Sequence, residues 1–159
     1  MKKAAFLIAV FCAGVLSICY FSGNAGAGDA DGLKVNKLKG ARQWKALQEY
    51  MLRQKTFSAM PSFSWDFLSP SKCLFRSGEL PEGRAASWRI DAGKGFIEIP
   101  GNYFQEKWVM EKYRSFRIVC RKEGGCFIAL SKAKRFKAPK CYELENPECG
   151  ADHLFILFK

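Results

Sequence analysis

The sequence predicts an α+β domain: an antiparallel sheet of about five strands with one or two helices packed on one face. Three observations predict it. Residues 41–57 carry an apolar stripe at helical spacing, residues 86–100 read as a hairpin, and residues 114–132 read as a second hairpin. In the helical segment, Trp44, Leu47 and Met51 recur at i, i+3 and i+7, and Glu49 and Arg53 form an i,i+4 pair of opposite charge. Residues 61–81 are expected to be irregular, with one strand around Cys73, Leu74, Phe75 and Arg76.

The first hairpin turns at Ala92, Gly93, Lys94 and Gly95. Ile90 then faces Ile97 and Trp88 faces Ile99 on one side, while Arg89 faces Glu98 on the other as an opposite-charge pair. Asn102, with Gln105 three residues on, gives a helix N-cap signal. A helix is expected from there to about Lys112, with Phe104 and Trp108 as its buried stripe. In the second hairpin Phe116, Ile118 and Cys120 alternate with Arg117, Val119 and Arg121, so one face is buried and the other wet. Residues 133–140 are basic and irregular. Leu154, Phe155, Ile156, Leu157 and Phe158 lack alternation and read as a central strand buried on both faces.

Three regions divide the chain. Lys2 and Lys3, an apolar run, and Ala25, Gly26 and Ala27 form an export signal, so residues 1–27 are expected to be a cleaved signal peptide. Residues 28–40, rich in Gly, Asp and Lys, read as a flexible basic arm, and residues 41–159 as a single α+β domain. The expected location is periplasmic or secreted. The alternative is a membrane anchor formed by residues 4–21, left uncleaved.

Cysteine usage agrees with export. Of seven cysteines, Cys73, Cys120, Cys126, Cys141 and Cys149 lie beyond the signal, an odd number, so one thiol is left over from any pairing within the chain. Cys120 and Cys126 flank the tip of the second hairpin, and they face each other when all five intervening residues form the loop; with a three-residue loop they are diagonal and strained. Cys141 and Cys149 flank a polar loop that a bridge would staple. Cys73 is then the leftover, buried or paired with another molecule. One histidine and no Cys-x-x-Cys pair give no metal spacing.

Charge points to the partner. A formal net charge of +11, or +9 once Lys2 and Lys3 leave with the signal, draws the chain to an acidic protein or another anionic macromolecule, with nucleic acid possible and a membrane only if residues 4–21 stay in place. Arg114, Arg117 and Arg121 are read as sharing the wet face of the second hairpin, and Lys132, Lys134 and Arg135 follow it beside Phe136. Arg117, Arg121, Lys132, Lys134 and Arg135 are the candidate binding face of a non-enzymatic binding protein of inhibitor, immunity or envelope-accessory type. A solvated charge run is the competing interpretation. No phosphate loop, Gly-x-Ser-x-Gly or metal motif is present, so no cofactor is expected.

The stretch FRSGELPEGRAASWR at residues 75–89 resembles the approach to the active-site strand of barnase-like secreted microbial ribonucleases. Asp152 and His153, set before an apolar end, resemble that family's final strand. The resemblance implies an exported basic α+β enzyme with a glutamate base, a histidine acid and arginines on phosphate. Carried over, His153 is the acid and Arg117 or Arg121 holds phosphate. The family's glutamate falls just after the Trp–Arg segment, where this chain has Ile90 and Asp91. An RNA-cleaving enzyme built on His153 is therefore the alternative to a binding protein, and an anchored accessory subunit of an envelope assembly is a third.

Overall fold

Alternation of aromatic with small or polar residues sets most of the architecture. In the computed structural model, which describes residues 28–59, 63–120, 125–139 and 152–158, two helices precede ten strands. The helices are α1 (Gly28–Lys37) and α2 (Gly40–Gln54). The strands are β1 (Thr56–Ala59), β2 (Phe63–Ser69), β3 (Lys72–Ser77), β4 (Leu80–Ser87), β5 (Arg89–Asp91), β6 (Phe96–Phe104), β7 (Lys107–Tyr113), β8 (Ser115–Cys120), β9 (Cys126–Ser131) and β10 (His153–Phe158). Seven of them form one antiparallel sheet in the order β4-β3-β2-β1-β10-β9-β8, and β5-β6-β7 form a second.

The α+β class holds, but the sheet is larger than about five strands. Much of the difference lies in residues 61–81. There Phe63, Trp65 and Phe67 alternate with Ser64 and Asp66, a period of two that builds β2. β2 pairs with β3 as Trp65↔Phe75 and Phe67↔Cys73. The helix expected over residues 102–112 is absent. β6 runs on through Phe104, the chain reverses at Gln105 and Glu106, both at positive φ, and β7 returns along it. The capping signal lost to a longer antiparallel ladder, and Phe104 is 63% exposed rather than buried. Residues 28–37, expected as part of a flexible arm, form α1, with Val35 buried.

One face of the large sheet carries the core. Phe57, Trp65, Phe75, Ile118, Ile128 and Ile156 point the same way and meet Trp44, Leu47 and Met51 of α2. Ile97, Ile99 and Tyr113 of the small sheet close over the same cluster. Phe127, Ala129 and Phe155 form a smaller apolar group of their own, packed with Phe136. β10 lies between β1 and β9, and its Phe155 and Ile156 belong to different clusters, as a strand buried on both faces requires. The hairpin register is Ile90↔Ile97 and Arg89↔Glu98. Glu98, on the middle strand, binds Arg89 at 2.6 Å and Lys112 at 2.7 Å, so one carboxylate ties all three strands. The hydrogen bond from Arg89, then that from Lys112, holds its carboxyl below the ordinary range.

The outer edge of β8 is closed by a side chain. Asn36 at the end of α1 donates to the Ile118 carbonyl at 2.6 Å and accepts the Ile118 N–H at 2.9 Å, doing for β8 what a neighbouring strand would do. Gly32 lets α1 come this close: a Cβ there would lie 2.8 Å from Ile118 Cγ2. Asn36→Ala removes both bonds and leaves a half-buried edge unpaired. The unfolding free energy in urea is expected to fall by about 2 kcal/mol, with the far-ultraviolet circular dichroism of the folded state unchanged.

Candidate functional site

β8 and the segment after β9 bring cations together beside the helix pair. A cleft of about 400 Å³ opens there. α1 supplies Asn36, α2 supplies Gln43 and Trp44, the residue before β8 is Arg114, β8 itself supplies Arg117, and the segment after β9 supplies Lys134 and Phe136. Trp44 and Phe116 meet edge to face at 4.9 Å and form an aromatic wall. Among the described residues, no carboxylate lines the cleft. Among the described residues, Arg114, Arg117 and Lys134 have no ion-pair partner. Three like charges held in one concavity leave a positive potential for an incoming anion to satisfy. Two guanidinium groups also offer paired, planar donors to a carboxylate or phosphate.

The basic residues singled out from sequence separate here. Arg117 and Lys134 share the cleft. Lys132 instead binds Glu111 on β7 at 2.8 Å and lines a different recess. Arg135 is exposed and is not among the cleft-lining residues. Arg121 lies outside the described residues. The cleft's contributions from Asn36, Gln43 and Trp44 were not legible, because they come from helices about 70 to 80 residues before β8. The helical period marks Trp44 only as core.

His153 sits at the start of β10. Its Nε2 lies 2.9 Å from the Lys137 carbonyl, which makes this nitrogen the donor of a hydrogen bond to that oxygen. Its ring stands edge-on to Phe136 and stacks with Phe155. With Glu111, Tyr113 and Lys132 it lines a recess of about 250 Å³. Burial, and then the charge of Glu111, pushes the Tyr113 hydroxyl well above its usual range, so it stays protonated. Of the set carried over from the ribonuclease resemblance, Arg117 and His153 line separate recesses, and Arg121, the other arginine offered for phosphate, lies outside the described residues. Asp91, at the position of the family's base, spends its carboxylate on the Lys94 N–H of the hairpin turn at 2.9 Å. Glu111 shares the recess of His153, and the helix expected over its segment concealed that.

Cys120 pairs with Cys126 across the second hairpin, in the register that sets them face to face. The expected pairing of Cys141 with Cys149 lies outside the described residues, as do the signal peptide and the membrane-anchor alternative. Among the described residues, no group of three or more His, Cys, Asp or Glu is placed to hold a metal ion. No helix among them is long and apolar enough to cross a membrane. Comparison with protein-family models, curated proteins and solved structures gave no match.

Cys73 is free and only 1% exposed. Burial, and then the charge of Asp66, pushes its thiol up to about 12. A maleimide at neutral pH is therefore expected to leave Cys73 unmodified in the native protein and to label it fully in denaturant. Peptide mapping by mass spectrometry reads both states; rapid native labelling would show an accessible thiolate.

Proposed function

We propose that this chain is an exported basic binding protein, of inhibitor, immunity or envelope-accessory type, that takes an acidic protein partner at the cleft beside β8. One observation carries the reading: Arg114, Arg117 and Lys134 converge on a concavity to which the described residues bring no carboxylate. An aspartate or glutamate of the partner, seated there, would replace the missing counter-charge. The cross-strand disulfide supports an oxidising compartment. The net charge of +11 supports fast, steered association with an acidic surface.

Poly-L-glutamate serves as the acidic probe, with an RNA oligonucleotide as comparison. Binding should weaken steeply with added salt. The triple substitution Arg114→Gln, Arg117→Gln, Lys134→Gln should reduce affinity for poly-L-glutamate by about tenfold or more at low salt. A control triple of exposed lysines, Lys45→Gln, Lys94→Gln and Lys107→Gln, removes the same charge and should retain most of the binding. Equal losses in the two triples would reduce the effect to net charge and reject the cleft. Tighter binding of RNA than of poly-L-glutamate would reject the protein partner.

A second reading, RNA cleavage, draws on His153 and Glu111 lining one recess, since an imidazole and a carboxylate can act as the acid and base of phosphodiester transfer. It predicts RNA hydrolysis that His153→Ala abolishes while the melting curve is kept. Cleavage unchanged in that variant, or none in the native protein, rejects this reading.

A further inference from the structure

The two outer edges of the large sheet are treated differently. β8 is closed by Asn36 and α1. β4 is the opposite edge, and no hydrogen bond reaches its outer side among the described residues. Its first half is poorly suited to pairing: Pro81 lacks an N–H, and Gly83 sits at φ 84°. The second half has no such protection. The Trp88 N–H donates to the Ser71 carbonyl at 3.2 Å, continuing the β3–β4 register of Cys73↔Ala86 and Lys72↔Ser87. In an antiparallel ladder, bonded and non-bonded pairs alternate. Ala86 therefore bonds inward to β3, and Ala85 and Ser87 turn their N–H and C=O groups outward.

That bare edge forms one wall of a groove of about 600 Å³. The far wall is Trp108 and Met110 of β7, and Trp88 lies between the walls. Leu68 and Met110 stand at its rim, 68% and 41% exposed, a cost in water that a covering apolar partner would remove. Ala85, Ala86 and Ser87 are small enough for another backbone to approach at the spacing of adjacent strands, roughly 4.8 Å. Lys72 also lines the groove and has no ion-pair partner among the described residues. An edge with free donors and acceptors beside pockets for alternate side chains is the arrangement that takes up an added strand.

We infer that β4 accepts an extended segment of a partner protein, alternating apolar and acidic side chains, as an added strand lying over this groove. The apolar residues fill the space between Trp88, Trp108 and Met110. An acidic residue meets Lys72. A second copy of this chain fits poorly, since each copy carries +11 and would bring Lys72 against like charge. The site lies at the opposite edge of the sheet from the β8 cleft and stands apart from the function proposed there.

The probe is a capped eight-residue peptide alternating valine and glutamate, titrated calorimetrically into the full purified chain. Two further peptides carry N-methyl groups on one or the other alternate set of amides, so only one set can pair with β4. Binding by the parent peptide is expected, with a loss of about tenfold or more for one methylated peptide and little change for the other. Ala85→Pro removes an outward N–H without removing a bond to β3, and should weaken the parent peptide similarly, as should Met110→Glu. The triple substitution at Arg114, Arg117 and Lys134 should leave this binding intact, which separates failure here from failure at the β8 cleft. No binding, or equal binding of both methylated peptides, overturns the inference. A dimer of the chain that Ala85→Pro dissociates also overturns it, by making a second copy the occupant.

Discussion

Two buried indole N–H groups hold the small sheet against the large one. Trp65, on β2, donates to the Pro100 carbonyl of β6 at 2.8 Å, and Trp88, leading into β5, donates to the Ser69 carbonyl at the end of β2 at 2.7 Å. The two bonds run in opposite senses across the same interface. Each depends on a local break in regular pairing. The β6–β7 register shifts between Pro100 and Asn102, and the β2–β3 register shifts between Phe67 and Ser69. These irregularities turn carbonyls toward the aromatic layer instead of a neighbouring strand. An indole left unsatisfied there would cost about 1–3 kcal/mol. Phe67 against Trp88 at 4.5 Å and Phe75 against Trp108 at 5.6 Å fill the space around them.

Both candidate surfaces follow from how this assembly ends. At β8 the helix pair closes the sheet. The same closure brings Asn36, Gln43 and Trp44 against a strand whose outward residues include Arg117, and a cleft with cationic walls results. At β4 the small sheet approaches without pairing. Arg84 lies over the Tyr103 ring at 4.1 Å, a contact between side chains where backbones do not meet. The gap left between β4 and β7 is the groove. One edge is thus closed by polar side-chain bonds, and the other has an apolar flank and bare backbone.

The hairpins were legible because both of their faces carry information. Arg89 with Glu98 and Ile90 with Ile97 admit one register, and Cys120 with Cys126 fixes the other hairpin at its tip. α2 was legible through its apolar stripe, and β10 through its unbroken apolar run. The signal over residues 102–112 was local, an Asn with a Gln three positions on. Tertiary pairing with residues 97–104 overrode it. α1 lacks a clear apolar stripe, and Asn36 and Gly32 acquire their roles only against Ile118, 82 and 86 positions away. The candidate site shared that difficulty. Arg117 and Lys134 could be picked out by composition, but Lys132 was indistinguishable from them until β7 placed Glu111 within its reach.

The bond between Asn36 and Ile118 has a consequence for the order in which the chain assembles. Its two partners are separated by 82 positions, so until β8 has formed α1 can pack only on α2, where Arg53 meets Asp31 at 3.2 Å. β1 pairs with β2 on one side and waits on the other for β10, whose Phe158 pairs with Phe57. A chain released from its N-terminus onward therefore carries α1 and β1 each with only its near partner, α2 or β2, through most of its emergence. Until α1 docks, the outer edge of β8 presents the Ile118 N–H and C=O to any other strand that meets it. α1, which precedes every described strand, thus reaches its place on the sheet only after β8 exists, and its arrival covers that edge.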